Sequence, residues 1–384
     1  MQVAVGKDKH FRFELIHQSR KSRARVGRIH TPHGIIDTPS FVAVGTNGTV
    51  KTLDSRTVQD LGVQLMFCNT YHLLVQPGTE IIQNAGGLHK FMKRDLPLIT
   101  DSGGFQVFSL KYGGVAAELK SKGAKKTSGG CVVKVTEDGV AFRSYRDGHK
   151  IFLSPETSIQ AQKALGADII VAFDELLPYH IDKRYQQLSL DRTHRWAQRS
   201  LEEHKKNVKQ QALYAVIHGG VDCDMRKQSC DFLTKHDFDG FGIGGSVGKN
   251  RQEMHEMLSF MAPMLPGDKP RHLLGIGDLP SLELCVPLGI DTFDSAHPTK
   301  AARHGLFFTK NGGLRILKSG NCNNFGSVQP GCVCHTCKHY SVAYLQHLFK
   351  ANEPTVQALA TIHNVHFMVQ LMAEYRRRIL AGDV

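Results

Sequence analysis

Residues 212–220 read ALYAVIHGG. Six apolar or aromatic residues run without polar alternation and then stop at a histidine and two glycines. A run this short, apolar on both faces, is a strand covered from both sides, the signature of a parallel sheet. The same unit recurs as PLITDSGG (97–104), DIIVAFDE (168–175), FDGFGIGG (238–245), RHLLGIG (271–277) and GIDTFDS (289–295). TPSFVAVG (38–45) and VQLMFCNTYHL (63–73) precede them. Helical patterns intervene, among them SPETSIQAQKALG (154–166), which opens on a Ser-Pro-Glu start, and DRTHRWAQRSLEEHKKNVKQ (191–210). About eight βα units favour a closed (β/α)8 barrel over an open sheet. No G-x-G-x-x-G opens a helix after the first strand, which weighs against a dinucleotide-binding fold.

The chain has 384 residues, 41% hydrophobic and 22% charged, enough for a large core and against disorder. That length fits two domains or one decorated barrel. We divide it into residues 1–310, a barrel with a catalytic rim, and 311–384, a metal-binding subdomain with a closing C-terminal helix. The net charge of +13 suits a polyanionic partner: RNA, DNA or an anionic membrane surface. No apolar run approaches a membrane span. The first residues, MQVAVGKDKHFRFELIHQSRKSRAR, lack the apolar core and cleavage site of a secretory signal. Nine cysteines, four of them between Cys322 and Cys337, suggest a reducing cytoplasm and one local metal site rather than a disulfide framework.

Reacting groups of such barrels sit where strands end. These ends carry Asp101-Ser102-Gly103-Gly104, Asp174-Glu175, His218-Gly219-Gly220, Gly244-Gly245 and Asp294-Ser295. Any one of them is explained by a helix cap or a turn. Aspartate directly after an apolar strand at three places is not, because caps do not require it.

GCVCHTC (331–337) sets Cys332, Cys334 and Cys337 in a C-x-C-x-x-C array. Three thiolates at that spacing can wrap a tetrahedral ion, and soft ligands favour Zn2+. The fourth ligand is open among His335, His339, His347, His363, His366 and Cys322. A closed set of thiolate and imidazole ligands implies a structural ion, one per chain, not a Lewis acid.

From about residue 11 to 375 the chain resembles the tRNA-guanine transglycosylases, which replace guanine in the tRNA anticodon with a 7-deazaguanine base. TPSFVAVGTNGTVK (38–51), LITDSGGFQVFSL (98–110), FRSYRDG (142–148), AFDE (172–175), RTHRWA (192–197), FDSAHPTKAARHG (293–305), and the cysteine array followed by TIHN (361–364) carry the resemblance in one order. It implies a (β/α)8 barrel with a zinc subdomain. It implies that Asp294 is the nucleophile on the ribose, forming a covalent RNA–enzyme intermediate, and that Asp101 is the general acid/base. Asp174 would read the pyrimidine edge of the base, with Ser102 beside it and the backbone of Gly244–Gly245 donating to its carbonyl. Phe105 and Leu274 would sandwich the purine, where the family often has Tyr and Met. Cys332, Cys334, Cys337 and His363 would hold the zinc. Lys300, where arginine is common, and Arg303 would meet RNA, and the segment with Lys338, His339, Lys350 and Arg376-Arg377-Arg378 would track phosphates. The implied partners are tRNAs with G-U-N anticodons (Asp, Asn, His and Tyr acceptors), the free base and a second copy in a homodimer, with no membrane.

Three features depart from the bacterial pattern. Ile217-His218-Gly219-Gly220 stands where V-Q-G-G is usual, so His218 replaces an amide that donates to the base. The loop Ser246-Val247-Gly248-Lys249 is one residue short. Lys111–Cys131 is an insertion. The first two lead us to expect that queuine is accepted at least as well as 7-aminomethyl-7-deazaguanine. A non-catalytic tRNA-binding partner subunit is the main rival, and it would be expected to lose an aspartate that this chain keeps. A D-loop-modifying enzyme would carry further C-terminal domains, and a barrel zinc hydrolase would need an open metal position.

Overall fold

A computed structural model describes residues 10–106, 132–144 and 146–384. The expected eight strands are all present and all parallel. They are β4 (Ser40–Val44), β5 (Met66–Cys68), β6 (Leu98–Thr100), β10 (Ile169–Val171), β11 (Ala212–Ile217), β12 (Gly240–Ile243), β13 (Arg271–Leu273) and β14 (Thr292–Ser295). They close into a barrel in the order β10-β11-β12-β13-β14-β4-β5-β6. The seam pairs Asp294 with Val42 and Thr292 with Ser40.

Strand periodicity divides each run between two cores. Leu213, Ala215 and Ile217 face the surrounding helices together with Phe41, Met66, Ile170 and Phe293. Ala212, Tyr214 and Val216 fill the lumen with Val42, Phe67, Ile99 and Val171. Burying each such side chain contributes about 1.5–3 kcal/mol. Since Phe293 points outward, Thr292 and Asp294 on either side of it point into the lumen.

Three additions decorate the barrel. β1 (Arg12–Gln18), β2 (Arg25–Thr31) and β3 (Gly34–Thr38) form an antiparallel sheet whose Ile29 and Ile36 join the lumen core. β7 (Val132–Val135), β8 (Val140–Arg143) and β9 (Lys150–Leu153) form a second sheet between β6 and β10. It packs Val140, Phe142 and Leu153 against Phe173 and Trp196, directly behind Asp174. The insertion Lys111–Cys131 lies outside the described residues. β15 (Leu306–Thr309) and β16 (Gly312–Arg315) make a hairpin, and the helix Thr355–Leu380 returns to the barrel through Val365, Met368, Met372 and Ile379.

The helix Pro155–Leu165 starts at Ser154, whose hydroxyl accepts from Thr157 N in a capping box. The second expected helix differs in its bounds: it spans Lys183–Lys206 and is capped by Asp182, which accepts from Tyr185 N. Its C-terminal end is earlier because Asn207 already leaves the helix, with extended backbone at φ −157° and ψ 93°.

Arg25 joins the first sheet to the seam. Its guanidinium reaches both Asp291 oxygens, at 2.9 and 2.5 Å, and the carbonyls of Gly267 and Lys269. Both side chains are buried, and Asp291 also accepts from Arg271 N at 2.7 Å. Removing one partner strands the other charge, so Arg25→Ala is expected to destabilise the fold by about 3–5 kcal/mol, read from urea or thermal unfolding.

Candidate active site and metal centre

Asp294 rises from the lumen face of β14 and is 8% exposed. Its Oδ1 accepts from Gly275 N at 2.8 Å and lies 3.1 Å from His272 Nε2. The other nitrogen of that fully buried ring is 2.8 Å from Thr292 Oγ1. Oδ2 accepts no hydrogen bond among the described residues. The carboxylate is thus fixed through one oxygen, with the other left for a reacting atom.

Asp101 follows β6. Its Oδ1 accepts from Thr70 N at 2.7 Å, and its Oδ2 from Asn69 Nδ2 at 2.7 Å and Gln106 Nε2 at 3.0 Å. Burial pushes the Asp101 carboxyl up to about 6 in spite of these three donors. Asp174 contributes in that direction, but burial is the leading cause.

Asp174 follows β10. Ser102 Oγ donates to its Oδ1 at 2.7 Å, and His218 Nε2 is 2.8 Å from its Oδ2. His218 is therefore placed against the Asp174 carboxylate, a contact its position after β11 did not disclose. Gly244 N donates to Ile217 O at 3.2 Å, extending the strand ladder, which leaves Gly245 N as the pair's donor toward a ligand. Glycine is required at two of these positions. A Cβ on Gly104 would lie 2.5 Å from Asp174 O, and Gly245 has φ +77° with its Cβ position 2.9 Å from His218 Nδ1.

Phe105 is exposed at the rim, while Leu274 is half-buried against Gly242 and Gly244. A cavity of about 420 Å³ opens beside this cluster, lined by Glu175, Tyr179, His218, Met225, Gly245 and Ser246. It adjoins His218 and Gly245 rather than Asp101 and Asp294. Lys300 and Arg303 lie on the short helix His297–Arg303 that follows Asp294, with Lys300 exposed and Arg303 half-buried.

Sequence reasoning missed Arg226. It is fully buried on the helix Cys223–Leu233 and donates to the carbonyls of Ile217 (2.6 Å), Gly220 (2.8 Å), Gly244 (2.9 Å) and Ser246 (3.2 Å). One guanidinium thereby ties the loops after β11 and β12 together and shapes the pocket wall. An arginine in DMRK reads as a solvated charge, so no sequence signal marked it.

The C-terminal cluster is as expected. The Sγ atoms of Cys332, Cys334 and Cys337 lie 3.9, 3.5 and 3.3 Å from His363 Nδ1. His363 Nε2 lies 2.7 Å from Phe308 O, so it donates there and turns the Nδ1 lone pair toward the sulfurs. Neighbouring Asn364 accepts from Phe308 N and donates to the carbonyls of Pro298 and Leu306, fixing the helix that carries the histidine. Three thiolates and one oriented imidazole fit a metal ion such as zinc. Cys322, His335, His339, His347 and His366 are not part of the cluster.

The family model described as Queuine tRNA-ribosyltransferase matches residues 19–384. A protein named queuine tRNA-ribosyltransferase from Protochlamydia amoebophila (strain UWE25) is 66% identical over 370 residues, 96% of this chain and 95% of the relative. Relatives of the same name are 54% identical in Chlamydia caviae, over 97% of this chain and 99% of theirs, and 54% in Chlamydia trachomatis serovar D, over 96% and 98%.

The Asp101 carboxyl binds its proton more tightly when folded than unfolded. Its contribution to stability is therefore full below the unfolded value near 4 and is lost as pH rises through about 6. The difference in unfolding free energy between Asp101→Asn and the parent is expected to move in favour of the variant across that window, by up to about 3 kcal/mol. Urea titrations at a series of pH values check this.

Proposed function

The chain belongs to the queuine tRNA-ribosyltransferase family and is a pentosyltransferase of queuosine modification, and on that premise we propose how its residues perform the exchange. The polynucleotide is a tRNA with a G-U-N anticodon, its wobble guanine seated over Asp174. Asp294 Oδ2 attacks C1′ of the ribose as the C1′–N9 bond breaks. The departing guanine takes the bond's electron pair and a proton from Asp101. The incoming 7-deazaguanine base then loses its five-membered-ring N–H proton to Asp101, and that nitrogen bonds to C1′ as the ester to Asp294 breaks. Two displacements restore the original stereochemistry, as in retaining glycoside chemistry. The observation that carries this reading is the rim itself: one buried carboxylate with a free oxygen, and a second kept close to neutral pH. An acid poised near the working pH can both give and take a proton.

Ser102, Asp174, His218, Gly219, Gly244 and Gly245 surround the base, with Phe105 and Leu274 on its faces. Ser102 and His218 hold the Asp174 carboxylate in place to accept from the base's N–H groups. The cavity beside His218, Gly245 and Ser246, behind the shortened loop, accommodates a bulkier substituent than aminomethyl. That supports queuine as the preferred incoming base. Lys300 and Arg303, beside the nucleophile, contact the RNA backbone.

The metal in the Cys332, Cys334, Cys337 and His363 cluster is zinc. Its four ligands leave no position for substrate, so its contribution is to fold the C-terminal segment. Exposed Phe325, Val333 and Tyr344 lie around that segment, with Tyr340 and Tyr344 stacked at 5.5 Å between centroids. Such a patch suits a homodimer contact. No helix among the described residues is long and apolar enough to cross a membrane. We place the enzyme in the cytoplasm, where its tRNA partner is found.

Asp294→Asn is expected to cut guanine exchange by roughly 1000-fold or more and to abolish the denaturation-resistant RNA adduct on gels. Normal turnover by this variant would overturn the mechanism. Lack of adduct in the parent chain, together with tRNA binding, would favour a non-catalytic partner subunit. With labelled guanine in tRNA, queuine is expected to displace label at a higher kcat/KM than 7-aminomethyl-7-deazaguanine, and exclusive use of the latter would refute the base assignment.

A further inference from the structure

At the opposite end of the barrel from the catalytic rim, three segments bring ligating side chains together. Asp168 immediately precedes β10 and is fully buried. His33 sits in the turn between β2 and β3, and His89 lies on the short helix Leu88–Met92. His33 Nδ1 is 2.7 Å from Asp168 Oδ1, and His89 Nε2 is 3.2 Å from Oδ2. One ligand atom from each residue lies within 4.8 Å of the others.

Two features distinguish this group from an ordinary hydrogen-bonded cluster. His89 is only 9% exposed, yet its Nε2 is a buried nitrogen with no hydrogen-bond partner, because its approach to Asp168 lacks hydrogen-bond geometry. The two imidazoles are stacked face to face, 3.5 Å between centroids and 13° from parallel. Stacking holds the two rings side by side against the two oxygens of one carboxylate. His33 Nδ1 donates to Asp168 Oδ1, whereas His89 Nε2 faces Oδ2 without a hydrogen bond. A cation between them would give both the buried nitrogen and the carboxylate oxygen a partner. Asp168 is also oriented from behind by Leu98 N at 2.8 Å, the kind of outer support that metal-ligating carboxylates carry.

We propose that His33, His89 and Asp168 form a second divalent transition-metal site, suited to Zn2+, that clamps the N-terminal sheet to the floor of the barrel. A tetrahedral ion with bonds of about 2.0–2.1 Å spaces its ligand atoms by roughly 3.3 Å, so His33 Nδ1 moves off Asp168 Oδ1 from 2.7 Å and the stacked rings tilt to admit it. His33 is partly exposed, so the fourth position opens to water. The donor set is imidazole and carboxylate without thiolate, which separates this site spectroscopically from the cysteine cluster.

The test uses the full-length protein carrying its C-terminal ion. Equilibrium dialysis against low-micromolar Zn2+, with metal counted by mass spectrometry, is expected to give two ions per chain in the parent and one in His33→Ala. Loss of an exposed turn side chain leaves the core intact, and far-ultraviolet circular dichroism checks that the variant is folded. His33→Cys is expected to restore the second ion. With Co2+ it should also add a thiolate charge-transfer band, beyond that of the cysteine cluster, that the parent lacks. One ion per chain in the parent would show a hydrogen-bonded cluster only, two in His33→Ala would place the second ion elsewhere, and either result would overturn the proposal.

Discussion

Closure of the parallel barrel between β14 and β4 is the constraint on which the rest of this molecule depends. The register at that seam, Asp294 opposite Val42, turns the last strand so that Phe293 faces the helices and Asp294 faces the lumen. Slipping it by one residue would send the carboxylate into the apolar layer and bring Phe293 to the rim. The seam is held from below by Asp291, whose backbone carbonyl accepts from Ser40 N and whose side chain holds Arg25 and Arg271 N. A buried ion pair at one end of β14 and the Asp294 carboxylate near the other are therefore parts of one arrangement. The first fixes where the second points.

The rim shows how a site can be assembled from groups that each carry a desolvation cost. Asp101, Asp294 and Arg226 are nearly or fully out of water. Each carboxylate is met by donors, and the guanidinium is met by four carbonyls instead of a counter-charge. Burial shifts two of them in the direction that weakens the charged form: Asp101 upward to about 6, and Arg226 downward to about 10. Arg226 remains a cation at any physiological pH, so its role is architectural. Asp101 is brought near neutrality, where a proton can move either way. The same physical cost serves structure in one case and chemistry in the other.

Outside the rim, distant segments are joined by single polar atoms. His363 links the cysteine array to β15 through Phe308 O, and Asn364 next to it links that strand to the helix after Asp294. The C-terminal cluster thereby braces the segment that bears Lys300 and Arg303. A cysteine–histidine cluster far along the chain is coupled to the helix after Asp294 through the hydrogen bonds of two residues, His363 and Asn364.

The barrel was legible in the sequence because short apolar strands, spaced by helices and ending in Asp or Gly, express a local rule that both faces of a parallel strand are buried. The rim aspartates were legible for the same reason, since a charge at the end of such a run has few structural explanations. The cysteine array was legible from its spacing, while its histidine was singled out only by resemblance. What the tertiary structure decided is the set of contacts made across the barrel. His218 meets Asp174 from a strand 44 positions away, burial rather than the neighbouring carboxylate leads the rise at Asp101, and Arg226 turns inward from a helix that reads as amphipathic surface. His33 and His89 reach Asp168 from two separate turns of chain. Local sequence determines which backbone form a segment takes and which face is apolar. Only closure of the barrel determines which polar groups share a space without water, and that shared, dry space sets their charge and their chemistry.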